Sequence, residues 1–324
     1  MWRTLLIANA HKLSLRNGWL IIEEHIDGQE EPKNTEIPID DIFSVVIDNC
    51  MLTITVAVTN ALTAAGVHLI FCDEKHMPAS IILPHNTHYR PFNVIKSQIA
   101  MTEEFKDVLW QQVIRQKISN QARVLSMSGC GTNIFEQISG WVDEVEPGDI
   151  GNREGIAAKF FFRSIYGSAF LRMADDGINS ALNYGYAIIR SAVAKTLIAY
   201  GYNPVLGIHH ISETNPYNLA DDLMEPLRPL VDLWVDQNND DLLTELSKEN
   251  RLDLVNLLNE IVEFDDKRMK VRYAIDRYIS SLTTAITKNN PKLLKLPIIK
   301  NYTLDPLSRG TEDEKPLYES FSHV

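Results

Sequence analysis

Three short strings in this 324-residue chain carry side chains suited to metal-assisted chemistry. In the first, Gly151-Asn-Arg-Glu154-Gly-Ile-Ala-Ala-Lys-Phe160, an acid falls in the first turn of a predicted helix beside an Asn that can cap it. There Glu154 either complements the helix dipole or faces a cation. The second, Pro204-Val-Leu-Gly-Ile-His-His210, follows a predicted helix that ends at Tyr200-Gly201. His209 and His210 are adjacent, so in an extended chain they point opposite ways and at most one faces a site. The third is Asn218-Leu-Ala-Asp-Asp-Leu-Met-Glu225-Pro-Leu-Arg-Pro229. On a helix Asp222 and Glu225, and Asp221 and Glu225, share one face, where they repel unless a cation lies between them; the rival reading is a solvated acidic face. Pro226 removes a helix hydrogen bond, which places Glu225 at a kink. Taken together, two acids and a histidine suit one divalent ion. Carboxylates favour Mg²⁺ or Mn²⁺, and an imidazole tilts the choice toward Mn²⁺.

The elements that must position these residues fall into two regions. Up to about residue 90 the chain reads mostly as strands (Arg3 to Ala8, Gly18 to Ile26, Thr35 to Ile37, Phe43 to Ile47, Val67 to Cys72, Ala79 to Leu83), divided by Asn, Gly, Asp and Pro. One helix is expected over Met51 to Ala65, closed by Gly66. From Pro91 the apolar period becomes helical, with a long amphipathic stretch from Phe92 to Met127 whose second face is rich in Gln and Lys. Further helices are expected at Ile134 to Val142, Glu154 to Phe170, Ile178 to Tyr200, Leu219 to Trp234, Asp240 to Leu246, Leu252 to Ile261 and Val271 to Thr287. The fold class is therefore α+β: a small β-rich domain over 1–90, a larger all-α catalytic domain over 91–290, and a tail over 291–324 without a core-forming period.

The formal charge of −12 by itself argues against a polyanion ligand. Its distribution says otherwise. Residues 201–250 hold two basic residues against ten acidic ones, whereas residues 267–300 hold nine basic residues against Asp276 alone. Residues 151–200 add six basic residues against three acids.

Other classes are disfavoured. The three cysteines show no C-x-x-C spacing, so neither a disulfide framework nor a zinc knuckle is available. The Ser-Gly-Cys-Gly segment lacks the third glycine of a dinucleotide loop, and no Gly-Lys-Ser/Thr occurs. The first residues are too short an apolar run for a secretory leader, and no run reaches the roughly 18 to 20 residues of a membrane span. A soluble, cytoplasmic protein that does not engage a membrane is expected.

Leu182-Asn-Tyr-Gly-Tyr-Ala-Ile-Ile-Arg190, Leu206-Gly-Ile-His-His210 and Asp222-Leu-Met-Glu-Pro-Leu-Arg-Pro229, in that order, resemble the CRISPR-associated spacer-acquisition integrases, the family of the first Cas protein. Phe71-Cys-Asp-Glu74 closing a strand, ahead of a helical domain, is similar too. The paired histidines and the Asp-Leu-Met-Glu-Pro form look most like the type II subgroup. The resemblance implies that Glu154, His210 and Glu225 are catalytic ligands of Mg²⁺ or Mn²⁺, with Asp222 and His209 supporting. It implies strand transfer, in which the 3′-hydroxyl of a captured DNA fragment attacks the phosphodiester of a CRISPR repeat. Its rivals are a stand-alone metal-dependent nuclease and an inactive DNA-binding scaffold. The implied partners are double-stranded DNA, a second copy of the chain joined through the β-rich domains, and a bridging dimer of the small second Cas protein. A type II member also implies a ring-shaped accessory protein and the RNA-guided effector nuclease. Arg163, Arg190, Lys267, Arg268, Lys270 and Arg272 are the expected phosphate contacts. Leu296, Ile298, Ile299 and Leu317 in the tail are expected anchors on such a partner.

Overall fold

The structure is a computed structural model, and it describes residues 3–25, 31–84, 88, 90–242 and 246–300. Two compact units divide between Thr87 and His88.

The first unit is β-rich. In chain order it contains β1 (Arg3–Ile7), β2 (Lys12–Arg16), β3 (Trp19–Glu24), β4 (Lys33–Pro38), β5 (Ile42–Ile47), β6 (Thr53–Ile54), α1 (Val56–Ala64), β7 (His68–Cys72) and β8 (Pro78–Ile82). One sheet has the order β1-β5-β7-β8, the other β4-β3-β2-β6. Every residue of β5 is buried, as a near-continuous apolar run between two parallel neighbours should be. β2 was not expected as a strand. It pairs antiparallel with β3 across Asn17 and Gly18, whose φ values of 50° and 80° are those of a tight hairpin turn. The expected Met51 helix begins only at Val56, because Thr53 and Ile54 pair with Lys12 and Leu13, and Thr55 then caps the helix by accepting from the Val58 N–H.

The second unit is mainly helical: α2 (Pro91–Ile99), α3 (Glu103–Met127), α4 (Thr132–Gly140), α5 (Arg153–Tyr166), α6 (Gly177–Ala199), α7 (Asn218–Met224), α8 (Arg228–Gln237), α9 (Lys248–Asn256) and α10 (Val271–Thr287). Thr102 divides the expected Phe92 to Met127 helix in two, its hydroxyl accepting from the Phe105 N–H at 3.2 Å. This unit is not all α. β9 (Ile261–Phe264) and β10 (Lys267–Lys270) form an antiparallel hairpin, so Lys267 and Arg268 stand on a strand. Of the expected Asp240 to Leu246 helix, Asn239–Asp241 form a single 3₁₀ turn.

Residues 291–300 belong to this unit. Leu294 and Ile299 are buried, and Ile298 exchanges two backbone hydrogen bonds with Glu263. Ile299 is thus an anchor in the chain's own core and not on a partner, because its apolar side chain is already covered. Leu317 lies outside the described residues. Among those residues no helix is long and apolar enough to cross a membrane.

Candidate active site

The site is assembled on α3. Apolar Trp110, Val113, Ile114 and Ile118 give this helix its buried stripe, but Lys117, Asn120 and Gln121 are buried as well. Asn120 holds two remote segments at once. Its amide donates to the Pro226 carbonyl at 2.7 Å and the Pro297 carbonyl at 3.1 Å, and its carbonyl accepts from the Ile299 N–H at 3.2 Å. One turn earlier on the helix, the Lys117 ammonium lies 2.7 Å from Glu154 Oε1 and 2.5 Å from Glu225 Oε2. Two carboxylates that are 71 positions apart in sequence therefore meet on one cation.

Glu154 is the second residue of α5, whose start is heavily capped. Asn152 accepts from the Gly155 N–H, and the Asp149 carboxylate accepts from the N–H groups of Arg153 and Glu154 at 2.9 and 3.0 Å. Asp149 and Asn152 both adopt left-handed backbone (φ 52° and 48°), a region that Asp and Asn tolerate better than most residues. Capping leaves the Glu154 side chain free to face Lys117 instead of its own helix end.

Glu225 stands where α7 gives way to a 3₁₀ turn, Glu225–Leu227, ahead of α8; this is the kink that Pro226 imposes. The three acids of this string do not share one face. Asp221 accepts from the Asn215 amide at 2.6 Å, Asp222 turns to the histidine loop, and Glu225 is held by Lys117 and by Arg228, whose Nε is 2.9 Å from Glu225 Oε1. Burial pushes the Glu225 carboxyl pKa up, but Arg228 and Lys117 outweigh it and hold the group below the usual carboxylate value. Burial likewise pulls the Lys117 ammonium down, and Glu225 and Glu154 together carry it above its ordinary value.

The fully buried Asp222 organises the loop before α7. It accepts from the backbone N–H groups of Ile208, His209 and His210, and from His210 Nδ1 at 2.7 Å. That bond fixes the ring so that Nε2 is the free nitrogen. The Asp222 hydrogen bond raises the His210 pKa against the effect of burial, and the charges of Asp222, Glu225 and Glu154 add to it, so all three acids lie within electrostatic reach of the imidazole. The His209 ring stacks on Trp110 with centroids 4.3 Å apart and planes within 4°, and the His210 ring meets the same indole edge-on at 5.7 Å. Gly207 makes the loop possible: a Cβ there would lie 2.2 Å from the His210 carbonyl oxygen and 2.9 Å from Asp222 Oδ2.

Behind Glu225, Arg228 lies over the Tyr186 ring, 4.9 Å from its centroid, and the Tyr186 hydroxyl donates to Asp232. Burial raises the Asp232 carboxyl pKa to about 7. Tyr278 of α10 is fully buried within reach of the Asp222 and Glu225 charges, which together with burial raise its phenol pKa.

As the side chains stand, no three His, Cys, Asp or Glu residues among the described ones are grouped closely enough to hold a metal ion. The donor chemistry nonetheless fits one. Two carboxylates and an imidazole nitrogen suit Mg²⁺ or Mn²⁺, and the carboxylates already share a cation, the Lys117 ammonium.

The expected phosphate contacts are distributed unevenly. Arg163, Lys267 and Arg268 are exposed, and Lys270 is half-buried at the start of α10. Arg190 pairs with Asp221 at 3.9 Å and lies over the Tyr217 ring. Arg272 is buried and donates to the Asn259 side-chain oxygen, so it holds α10 to the turn before β9 and is withdrawn from the surface set. Sequence reasoning missed Lys117, Arg228, Asp149 and Trp110. Arg228 sat inside a quoted string, three residues after Glu225; Lys117 gave no signal beyond a lysine on a helix.

A family model described as CRISPR associated protein Cas1 matches residues 5–249. The chain is 39% identical over 302 residues to a CRISPR-associated endonuclease Cas1 of Neisseria meningitidis serogroup C (strain 8013), covering 92% of this chain and 96% of that protein. Among solved structures, a casposase bound to integration product superposes with a TM-score of 0.71 at 18% identity, covering 100% of this chain and 99% of that one. A chain of a Cas6-RT-Cas1–Cas2 complex gives 0.69 at 18% identity, covering 90% of this chain and 36% of that one. With three quarters of its length inside that family model, and a relative so similar along nearly the whole sequence, the chain belongs to the CRISPR-associated protein Cas1 family.

Proposed function

We propose that this chain is a metal-dependent DNA integrase of CRISPR spacer acquisition. The observation that carries the reading is the meeting of Glu154 and Glu225 on one buried cation, with His210 oriented beside them by Asp222, in a chain of this family. Glu154, Glu225 and His210 Nε2 would hold Mg²⁺ or Mn²⁺. When bound, such an ion lowers the pKa of an attacking hydroxyl and stabilises the charge that builds on phosphorus oxygens.

The chain's own residues prepare that chemistry. Asp222 keeps His210 in one tautomer, Arg228 fixes the rotamer of Glu225, and the cap on α5 fixes Glu154. The 3′-hydroxyl oxygen of the incoming strand attacks phosphorus at the repeat, the bond to the repeat's 3′-oxygen breaks, and the hydroxyl proton passes by way of water to that leaving oxygen. One phosphodiester replaces another, and the protein supplies no covalent nucleophile. Arg163, Arg190, Lys267, Arg268 and Lys270 are assigned to DNA phosphates, which need positive charge and carry no sequence information. The likenesses to a casposase bound to integration product and to a Cas1–Cas2 assembly support DNA as substrate and a Cas2 dimer as bridge. Pairing of two chains through the β-rich units, and cooperation with a type II ring protein and effector nuclease, complete the reading.

The deciding experiment incubates the chain with its Cas2 partner, a 3′-hydroxyl duplex, a supercoiled repeat target and Mg²⁺ or Mn²⁺. Joined products that vanish with a 3′-dideoxy donor, with chelator or with Glu154→Gln support integration. Cleavage without joining makes the chain a nuclease, and binding with no chemistry in either metal makes it a scaffold.

A further inference from the structure

Three of the carboxylate pair's four oxygens have basic partners, which divide them. Glu225 Oε1 belongs to Arg228, whereas Glu225 Oε2 and Glu154 Oε1 both point at the Lys117 ammonium. Those two oxygens are the ones a divalent ion shared by the pair needs. Lys117 reaches them from α3 with a side chain only 8% exposed, whereas Glu154 is 26% exposed and open to solvent on one side.

We propose that Lys117 is a resident cation that the divalent metal must displace. The inference rests on the reading of Glu154, His210 and Glu225 as a metal site, and it assigns Lys117 two effects on that site. Before loading, the ammonium offsets the repulsion between the buried Glu225 carboxylate and the half-buried Glu154 carboxylate, and so holds α5 and the turn after α7 in register. On loading, a doubly charged ion and an ammonium cannot share the same two oxygens, because their mutual repulsion in low dielectric is large. The lysine stem, with its four methylenes, lets the head swing away without moving α3. Lys117 therefore weakens divalent binding and keeps the unloaded site folded. It is a positioning residue.

The test measures Mn²⁺ binding to the full-length chain by electron paramagnetic resonance, alongside thermal unfolding in EDTA and in saturating Mn²⁺. Lys117→Met is expected to bind Mn²⁺ at least tenfold more tightly than wild type. It should also unfold several degrees lower in EDTA and recover when Mn²⁺ saturates the site. Lys117→Arg, which keeps the charge, should stay close to wild-type affinity. Unchanged or weaker Mn²⁺ binding by folded Lys117→Met, or tight binding by Lys117→Arg, overturns the proposal. Should Lys117→Met not fold, a wild-type crystal soaked in Mn²⁺ decides. Anomalous density on Glu154 and Glu225 with Lys117 turned away supports displacement, and the same density with Lys117 still bridging both carboxylates refutes it. Failure of wild type and variant alike to bind Mn²⁺ overturns the metal reading itself. Binding by wild type that Lys117→Met does not tighten overturns only the role of Lys117.

Discussion

Asp222 and His210 are joined twice: the Asp222 carboxylate takes the His210 backbone N–H at 3.0 Å and its ring Nδ1 at 2.7 Å. With the N–H groups of Ile208 and His209, four donors converge on two oxygens of one buried side chain. The position of the histidine is thus set by an acid that does not itself face Lys117.

This pairing gives a pH dependence. Because the Asp222 hydrogen bond raises the His210 pKa, the protonated ring is favoured in the folded chain to a higher pH than the ordinary value near 6.5. Its contribution to stability is present below that ordinary value and fades as pH rises through the raised one. A metal held by His210 would need the neutral ring, so Mn²⁺ affinity should climb over the same window. Asp222→Asn weakens the bond and should move the acid limb of the binding curve to lower pH, while costing about 3 kcal/mol of stability as charge-assisted hydrogen bonds are removed. Titrating Mn²⁺ binding from pH 5.5 to 8.5 in both proteins checks this; coincident curves contradict it.

Gly207→Ala probes the same loop from its backbone. A Cβ 2.2 Å from the His210 carbonyl cannot be accommodated by side-chain rotation alone. Strand transfer should fall at least about tenfold, by analogy with removal of groups that orient a metal ligand, with about 1 to 3 kcal/mol of overpacking strain and an unchanged far-ultraviolet spectrum. Wild-type activity would show that the loop opens freely.

Asp232 supplies a stability signature away from the chemistry. Burial raises its pKa to about 7, so its favourable contribution holds below the unfolded value and is lost as pH rises through about 7. A shift of that size corresponds to at most about 4 kcal/mol. Asp232→Asn keeps a partner for the Tyr186 hydroxyl and removes the titration. Its stability relative to wild type should therefore grow from pH 4 to pH 8 in denaturant unfolding, and a constant difference across that range refutes the argument.

The basic residues separate into surface and structural sets. The double change Lys267→Ala/Arg268→Ala should lower the slope of log affinity for duplex DNA against log salt by about two, one for each phosphate that is no longer neutralised. Arg272→Ala should leave the slope unchanged and lower thermal stability, since its guanidinium is spent on Asn259. Equal slopes for wild type and the double variant would remove β10 from the DNA path.

Much of this arrangement could be read from residue order. The strand-rich start, the helical remainder, Gly66 ending α1 and the kink at Pro226 follow from local chemistry that acts over a few residues. What could not be read is contact across the fold. Lys117, Asn120 and Gln121 lie on a face of α3 whose Gln and Lys content resembles a solvated surface, and only the packing of the Glu225 turn against that face makes it an interior. Arg272 errs the other way: a basic residue in a basic run reads as surface, yet tertiary packing buries it. Strand β2 was missed although Asn17-Gly18 is a hairpin signal, since Lys, Ser and Arg alternate with its two leucines.

The central claim is that Glu154, His210 and Glu225 act together on one ion in strand transfer. The most direct measurement is single-turnover joining of a 3′-hydroxyl duplex to a repeat target in Mn²⁺, for wild type, each of Glu154→Gln, His210→Ala and Glu225→Gln, and the three changes combined. Each single change should slow joining by about two to three powers of ten, and the triple variant should be little slower than the singles, because the residues work as one unit. Near-wild-type joining by any single variant, or losses that multiply in the triple, would contradict the account.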